Sequence, residues 1–210
     1  MNINSLIKQG SEILKKKNIN SHQIDAELLL SKTIKKNRSF LFTNDESKVS
    51  SKTIFNYLNF ILRREQYEPL SYITQSKEFW SLGFDVDHNV LIPRPETELL
   101  VQLVSREIHD NDTVIDIGTG SGCIAIPLFG QTSQSKIIGT DISTLALQQA
   151  QKNAVKHNTE ISFIRSHLAS SIRIADIIVA NLPYIPTNEL AKLPKEIKNW
   201  EPIHALNGGH

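Results

Sequence analysis

The chain has 210 residues, 40% of them hydrophobic and 21% charged, with a net charge of +1, a composition that suits one large globular domain or two smaller ones. No apolar run approaches the ~20 residues that span a bilayer, and the start, Met1-Asn2-Ile3-Asn4, lacks the basic-then-apolar order of a secretory leader. A single cysteine, Cys123, cannot form an internal disulfide, so nothing points to an oxidising compartment, and a cytoplasmic location without membrane association is expected.

Charge is unevenly spread. Residues 1–70 hold 12 Lys and Arg against 7 Asp and Glu, and residues 71–210 hold 11 against 15. A mildly basic front can meet an acidic partner. Specific nucleic-acid binders are usually far more basic, so a solvated Lys-rich face is expected and no direct nucleic-acid binding.

Residues 1–70 read as a small helical bundle. Leu6, Ile7, Ile13 and Leu14 repeat on one helical face. Asn20 or Ser21 can cap a second helix carrying Ile24, Leu28 and Leu29, and Ser50 or Ser51 another carrying Ile54, Leu58, Ile61 and Leu62. Phe40-Leu41-Phe42 forms a short apolar segment between them. Residues 71–92 change character: Tyr72-Ile73, Phe79-Trp80 and Phe84-Asp85-Val86-Asp87 predict two short strands around Leu82-Gly83, a β-hairpin linker. In Leu91-Ile92-Pro93-Arg94-Pro95-Glu96-Thr97-Glu98, Pro95 and the acids suit a helix's first turn, with Leu99, Leu100, Leu103 and Val104 packing the helix onto the next domain.

From residue 93 onward the pattern alternates strand and helix. Val114-Ile115-Asp116-Ile117 runs into Gly118-Thr119-Gly120-Ser121-Gly122 and a helix from Cys123-Ile124-Ala125-Ile126. Glycines let backbone approach a ligand closely, and a helix N-terminus offers unpaired N–H groups. A dinucleotide fingerprint wants G-x-G-x-x-G; G-x-G-x-G fits a nucleoside-type ligand without a pyrophosphate. Lys136-Ile137-Ile138-Gly139-Thr140 ends at Asp141, a carboxylate placed to accept hydrogen bonds from ribose hydroxyls or to cap the helix Ser143–His157. Leu145, Ala146, Ala150 and Ala154 line that helix, Ile161–Ile164 is a third strand and Ile174–Ala180 a fourth. Asn181-Leu182-Pro183-Tyr184 follows directly, where ligands collect beyond strand ends in open α/β sheets; it reads as a turn or as a site for a flat substrate.

Taken together, the Asn-x-Pro-Tyr segment, the glycine loop, Asp141 and the linker from Leu91 to Glu98 resemble the release-factor glutamine methyltransferases, the HemK/PrmC family, across essentially the whole chain. The linker is the most family-specific piece, and Asn-Pro-Pro-Tyr is shared with adenine-N6 DNA methyltransferases. The resemblance implies a Rossmann-like class I methyltransferase domain over residues 93–210, behind a helical recognition domain and the hairpin. It implies methyl transfer from S-adenosylmethionine to the side-chain amide of the glutamine in the Gly-Gly-Gln loop of peptide-chain release factors. Carried over by position, Gly118, Thr119, Gly120, Ser121 and Gly122 wrap the methionine portion, Asp141 the ribose, and Leu168 the adenine. Asn181 also borders the cofactor. Asn181 and Tyr184 are the catalytic pair, and Asn181, Leu182, Pro183 and Tyr184 hold the glutamine. No metal is implied. Position 182 is Leu where the family has Pro, and His167 stands where relatives usually carry an acid. Relatives continue past the Gly-Gly pair into strands completing a seven-stranded sheet, so the expectation is a C-terminally truncated member with an incomplete sheet and strand four as an apolar edge. A non-catalytic remnant and an adenine-N6 nucleic-acid methyltransferase are the alternatives.

Overall fold

Asn2 starts the first helix by closing a capping box: its Oδ1 accepts from the Ser5 N–H at 2.9 Å and Ser5 Oγ accepts from the Asn2 N–H at 3.1 Å. The computed structural model describes residues 1–131 and 134–209, and the chain divides into two units, Met1–Thr74 and Gln75–His210. The first unit is all helical: α1 (Ile3–Lys16), α2 (His22–Ile34), α3 (Arg38–Thr43), α4 (Ser51–Glu65) and α5 (Leu70–Thr74). Leu6, Leu14, Leu29, Leu30, Leu41, Tyr57 and Ile61 are its fully buried centre, each aliphatic side chain contributing about 1.5–3 kcal/mol on leaving water. Ser50 caps α4 through the Thr53 N–H at 3.2 Å. Sequence periodicity misplaced two faces: Ile24 of α2 and Leu62 of α4 are exposed, while Ala26 and Tyr57 are buried instead. Between the helices Arg64 Nε lies 2.7 Å from Asp25 Oδ2, both side chains enclosed.

Tyr72 and Ile73, expected in a strand, belong to α5. Both their N–H groups donate to the Pro69 carbonyl, at 3.0 and 3.1 Å, so a proline-initiated helical turn overrides the β preference of the two side chains. The hairpin lies later and is shorter. Strands β1 (Lys77–Phe79) and β2 (Leu82–Phe84) pair antiparallel with Phe79 opposite Leu82. Leu82-Gly83 is therefore strand, and the two-residue turn is Trp80-Ser81, both at positive φ (52° and 58°) as a type I′ turn requires.

A four-stranded parallel sheet organises the second unit: β3 (Thr113–Ile117), β4 (Lys136–Asp141), β5 (Ser162–Arg165) and β6 (Ile177–Ala180), in the order β5-β4-β3-β6. Helix α6 (Glu98–Glu107) precedes the sheet, α7 (Ala125–Leu128) links β3 to β4 and α8 (Thr144–Lys156) links β4 to β5. Four consecutive buried residues in β3, from Val114 to Ile117, mark it as a central strand covered on both faces. The chain turns outward on either side of β3, so β3 and β6 flank the point where strand order reverses, the usual ligand crevice of such sheets. Among the described residues β6 has a strand on one side only, and Ile178 is 58% exposed. In α6 the packed residues are Val101 and Val104, while Leu99 and Leu103, expected on the packed face, are exposed.

Beyond β6 the chain is more ordered than its prolines suggest. Strand β7 (Ile185–Pro186) pairs in parallel with β8 (Asn207–Gly209), with α9 (Lys195–Trp200) between them. A Cβ on Gly208 would sit 2.8 Å from Tyr184 Cα and 2.9 Å from the Pro183 carbonyl oxygen, so only glycine lets β8 lie this close against the Asn181–Tyr184 segment.

Candidate active site

The glycine loop leaves β3 with Gly118, Gly120 and Gly122 all at positive φ (72°, 56° and 81°), a conformation side-chain-bearing residues rarely adopt. It is pinned to β4: the N–H groups of Gly118 and Thr119 both donate to the Thr140 carbonyl at 2.8 Å. Asp141 at the tip of β4 accepts from the Gly120 N–H at 3.0 Å through Oδ2 and from the Ser143 N–H at 2.9 Å through Oδ1. The cap of α8 is Ser143, whose Oγ accepts from the Ala146 N–H at 3.2 Å, not Asp141. A carboxylate offers about four acceptor positions, so two remain for ligand hydroxyls.

These elements wall a cavity of about 210 Å³, lined by Gly118, Gly120, Asp141, Leu168, Asn181, Leu182 and Pro183. Thr119 and Ser121 do not reach it. Thr119 is buried with Oγ1 donating to Asp116 Oδ2 at 2.7 Å, and the Ser121 carbonyl accepts from Asn153 Nδ2 at 2.9 Å. Both instead line a recess of about 40 Å³ beside Pro93, Arg94 and Thr97. Gly122 lines neither space. Leu168 sits at φ 52°, costly for a branched side chain, and its carbonyl accepts from Thr140 Oγ1 at 3.4 Å. His167 and, from the far end of the chain, His204 and Ala205 also line the 210 Å³ cavity.

A second cavity of about 290 Å³ shares Asn181, Leu182 and Pro183 with the first, and adds Tyr184, Arg94, Thr97, Leu100 and Leu206. Tyr184, 81% exposed, belongs to this side and not to the first cavity. Asn181 Nδ2 donates to Thr97 Oγ1 at 3.1 Å. Arg94 Nη2 lies 2.6 Å from Glu201 Oε1, and burial lifts the Glu201 carboxyl above its ordinary range against the opposing pull of Arg94. Burial also pushes Asp116, directly beneath the glycine loop, up to about 7, with Asp141 repulsion adding to it and the Thr119 bond opposing. Among the described residues its Oδ1 has no hydrogen-bond partner. Ile142, Ser166 and His204 are wall residues that the sequence motifs did not single out. Ile142 had a signal, being an apolar residue immediately after Asp141; His204 had none.

Comparison with known proteins separates the two halves of the chain. The PrmC N-terminal domain model matches residues 5–74, and the ribosomal protein L11 methyltransferase (PrmA) model matches residues 94–204. Release factor glutamine methyltransferase of Clostridium botulinum is 36% identical over 217 aligned residues, covering 100% of this chain and 77% of the relative. The chain belongs to the release factor glutamine methyltransferase family. The member from Leptospira interrogans is 39% identical over 96% of this chain and 74% of its own length, and that of Buchnera aphidicola subsp. Schizaphis graminum is 40% identical over 98% and 75%. Among solved structures, the hMettl16 catalytic domain in complex with the MAT2A 3′UTR hairpin 6 aligns over 76% of this chain and 58% of that one, with TM-score 0.50 and 20% identity, a likeness of fold. This member is thus a class I methyltransferase using S-adenosylmethionine. The cavity suits that cofactor: backbone without side chains at Gly118 and Gly120, two open acceptor positions on Asp141, and apolar walls at Ile142 and Leu168. Among the described residues no helix is long and apolar enough to cross a membrane.

Proposed function

We propose that this protein methylates the side-chain amide nitrogen of the glutamine in the Gly-Gly-Gln loop of peptide-chain release factors. The observation carrying this reading is that Asn181, Leu182 and Pro183 form the common wall of two cavities, one with the glycine loop and Asp141, the other with Tyr184. Gly118, Gly120, Asp141, Leu168 and Asn181 hold the cofactor, with Thr119, Ser121 and Gly122 shaping the loop from beneath. Bound S-adenosylmethionine supplies an electrophilic methyl group. The acceptor amide enters from the second cavity. An amide nitrogen is a poor nucleophile because its lone pair is delocalised into the carbonyl, so it must be held in one orientation. Asn181 Oδ1 and the Leu182 carbonyl each accept one of its N–H groups, which fixes its plane; such alignment contributes up to ~7–11 kcal/mol in ideal cases. Both acceptors also favour the positive charge that develops on nitrogen. Pro183 biases Leu182 to extended backbone, which compensates for the absence of a second proline, and Tyr184 covers the acceptor against water. The helical front, residues 1–70, recognises the release factor, and the reaction takes place in the cytoplasm.

The test is methyl transfer from labelled S-adenosylmethionine by the purified chain, with release factor, DNA and tRNA as parallel acceptors and the modified residue read by mass spectrometry. Label on the release-factor glutamine is expected, with Asn181→Ala abolishing it. Label on nucleic acid alone, or no label under cofactor saturation, overturns the reading.

A further inference from the structure

We propose that Thr97 is a positioning residue for the transfer: its hydroxyl anchors one end of the Asn181 carboxamide so that the other end meets the acceptor. The inference rests on the acceptor-holding role given above to Asn181. A carboxamide turns about a broad terminal torsion, so a free Asn side chain presents its oxygen, its nitrogen or neither. Here Nδ2 is held by Thr97 Oγ1 at 3.1 Å, and Thr97 is 6% exposed. Thr97 is itself fixed. It closes the helical turn Pro95–Thr97, its N–H donates to the Arg94 carbonyl at 3.0 Å, and the Arg94 guanidinium is tied to buried Glu201. A hydroxyl both donates and accepts, so Thr97 fixes the carboxamide's plane and place, and the substrate decides its sense: an incoming NH₂ can bond only to an outward Oδ1. Thr97 borders the second cavity and the small recess but not the 210 Å³ cavity. Its loss should therefore act more on turnover than on cofactor binding.

Steady-state kinetics on a release factor, with Thr97→Val and Thr97→Ser beside the wild type, provide the test. A lost neutral hydrogen bond corresponds to roughly tenfold, so Thr97→Val should lower kcat about tenfold with the S-adenosylmethionine KM within about twofold. Thr97→Ser, which keeps the oxygen, should recover most of that loss. A readout independent of turnover is hydrogen exchange at the Asn181 side-chain amide, followed by NMR in the isotope-labelled chain: slowed in the wild type, fast in Thr97→Val. Unchanged kcat in Thr97→Val, or wild-type exchange as fast as in a free Asn side chain, overturns the proposal. If the wild type leaves release factors unmethylated, the acceptor reading falls while the exchange experiment still decides the anchor. If Thr97→Val does not fold, wild-type exchange and the kcat of Thr97→Ser decide it: full activity with slow exchange supports the anchor, and fast exchange refutes it.

Discussion

At the scale of single residues, the strongest consequence lies beneath the glycine loop. Asp116 is fully buried, and burial, which disfavours its charge, pushes its carboxyl up to about 7 against the opposing hydrogen bonds from Thr119 and the Ala125 backbone. The folded state therefore holds this proton more tightly than the unfolded chain, whose carboxyl titrates near 3.8. The stability tied to that proton is fully present below the unfolded value and is lost as pH rises through about 7. Asp116→Asn keeps the shape and removes the titration. Urea unfolding at pH 5 and pH 8 should show the wild type losing stability across this interval and the variant losing markedly less, a tenfold difference in proton affinity between the folded and unfolded states corresponding to about 1.4 kcal/mol. Equal slopes would mean that Asp116 is ionised throughout. Position 182 shows a different residue-scale adjustment. A Cβ on Gly118 would lie 3.1 Å from Leu182 Cδ2, so the leucine fills the space against the glycine loop and the two segments constrain each other's side chains.

At the scale of elements, the linker and the chain's final segment form one structure. Arg94 reaches Glu201 at 2.6 Å, and the Ile92 N–H reaches the other carboxylate oxygen at 3.5 Å. Arg94→Ala would strand a buried carboxylate. Breaking such a pair costs about 3–5 kcal/mol when both partners are enclosed, and about half that here because Arg94 is partly exposed. Thermal or urea unfolding should show this loss, and Arg94→Ala/Glu201→Gln should recover part of it. What the sequence could and could not convey divides along the same line. The four strands, the glycine loop and the cap at Ser50 were legible, because they are set by neighbours within a few positions, whereas the cap of α8 fell on Ser143 and not on Asp141. The partners of Asn181 and Arg94 stand 84 and 107 residues away, and no local pattern encodes them. The hairpin slipped for a third reason. Its turn uses Trp80-Ser81 rather than Asn-Gly, so the usual marker pointed at Leu82-Gly83, which lies in the strand. Within the candidate site, the glycine pattern located the loop but could not say that Thr119 and Ser121 turn inward, since that depends on Asp116 and Asn153.

At the scale of the whole molecule, the two halves differ in what their relatives share. The front carries the family's own N-terminal domain, whereas the back also fits the ribosomal protein L11 methyltransferase model. The back half therefore resembles a second methyltransferase family, and the front matches the PrmC N-terminal domain model. The basic surplus of residues 1–70 and the acidic surplus of residues 71–210 follow that division. One structural feature joins the site to the end of the described chain. Because β7 and β8 pair, residues 185–209 form a loop closed at its base by backbone hydrogen bonding, with Lys192, Lys195 and Lys198 on its arc and His204 and Ala205 lining the 210 Å³ cavity. A trypsin cut on that arc separates the chain without separating the fold. The C-terminal fragment should stay bound under native conditions, held by Glu201 and β8, and part only in denaturant. Filling the cavity with S-adenosylmethionine should slow cutting at these three lysines, as read by the fragment pattern over time. Prompt loss of the fragment from the nicked native protein would show that the loop's base is not a clasp.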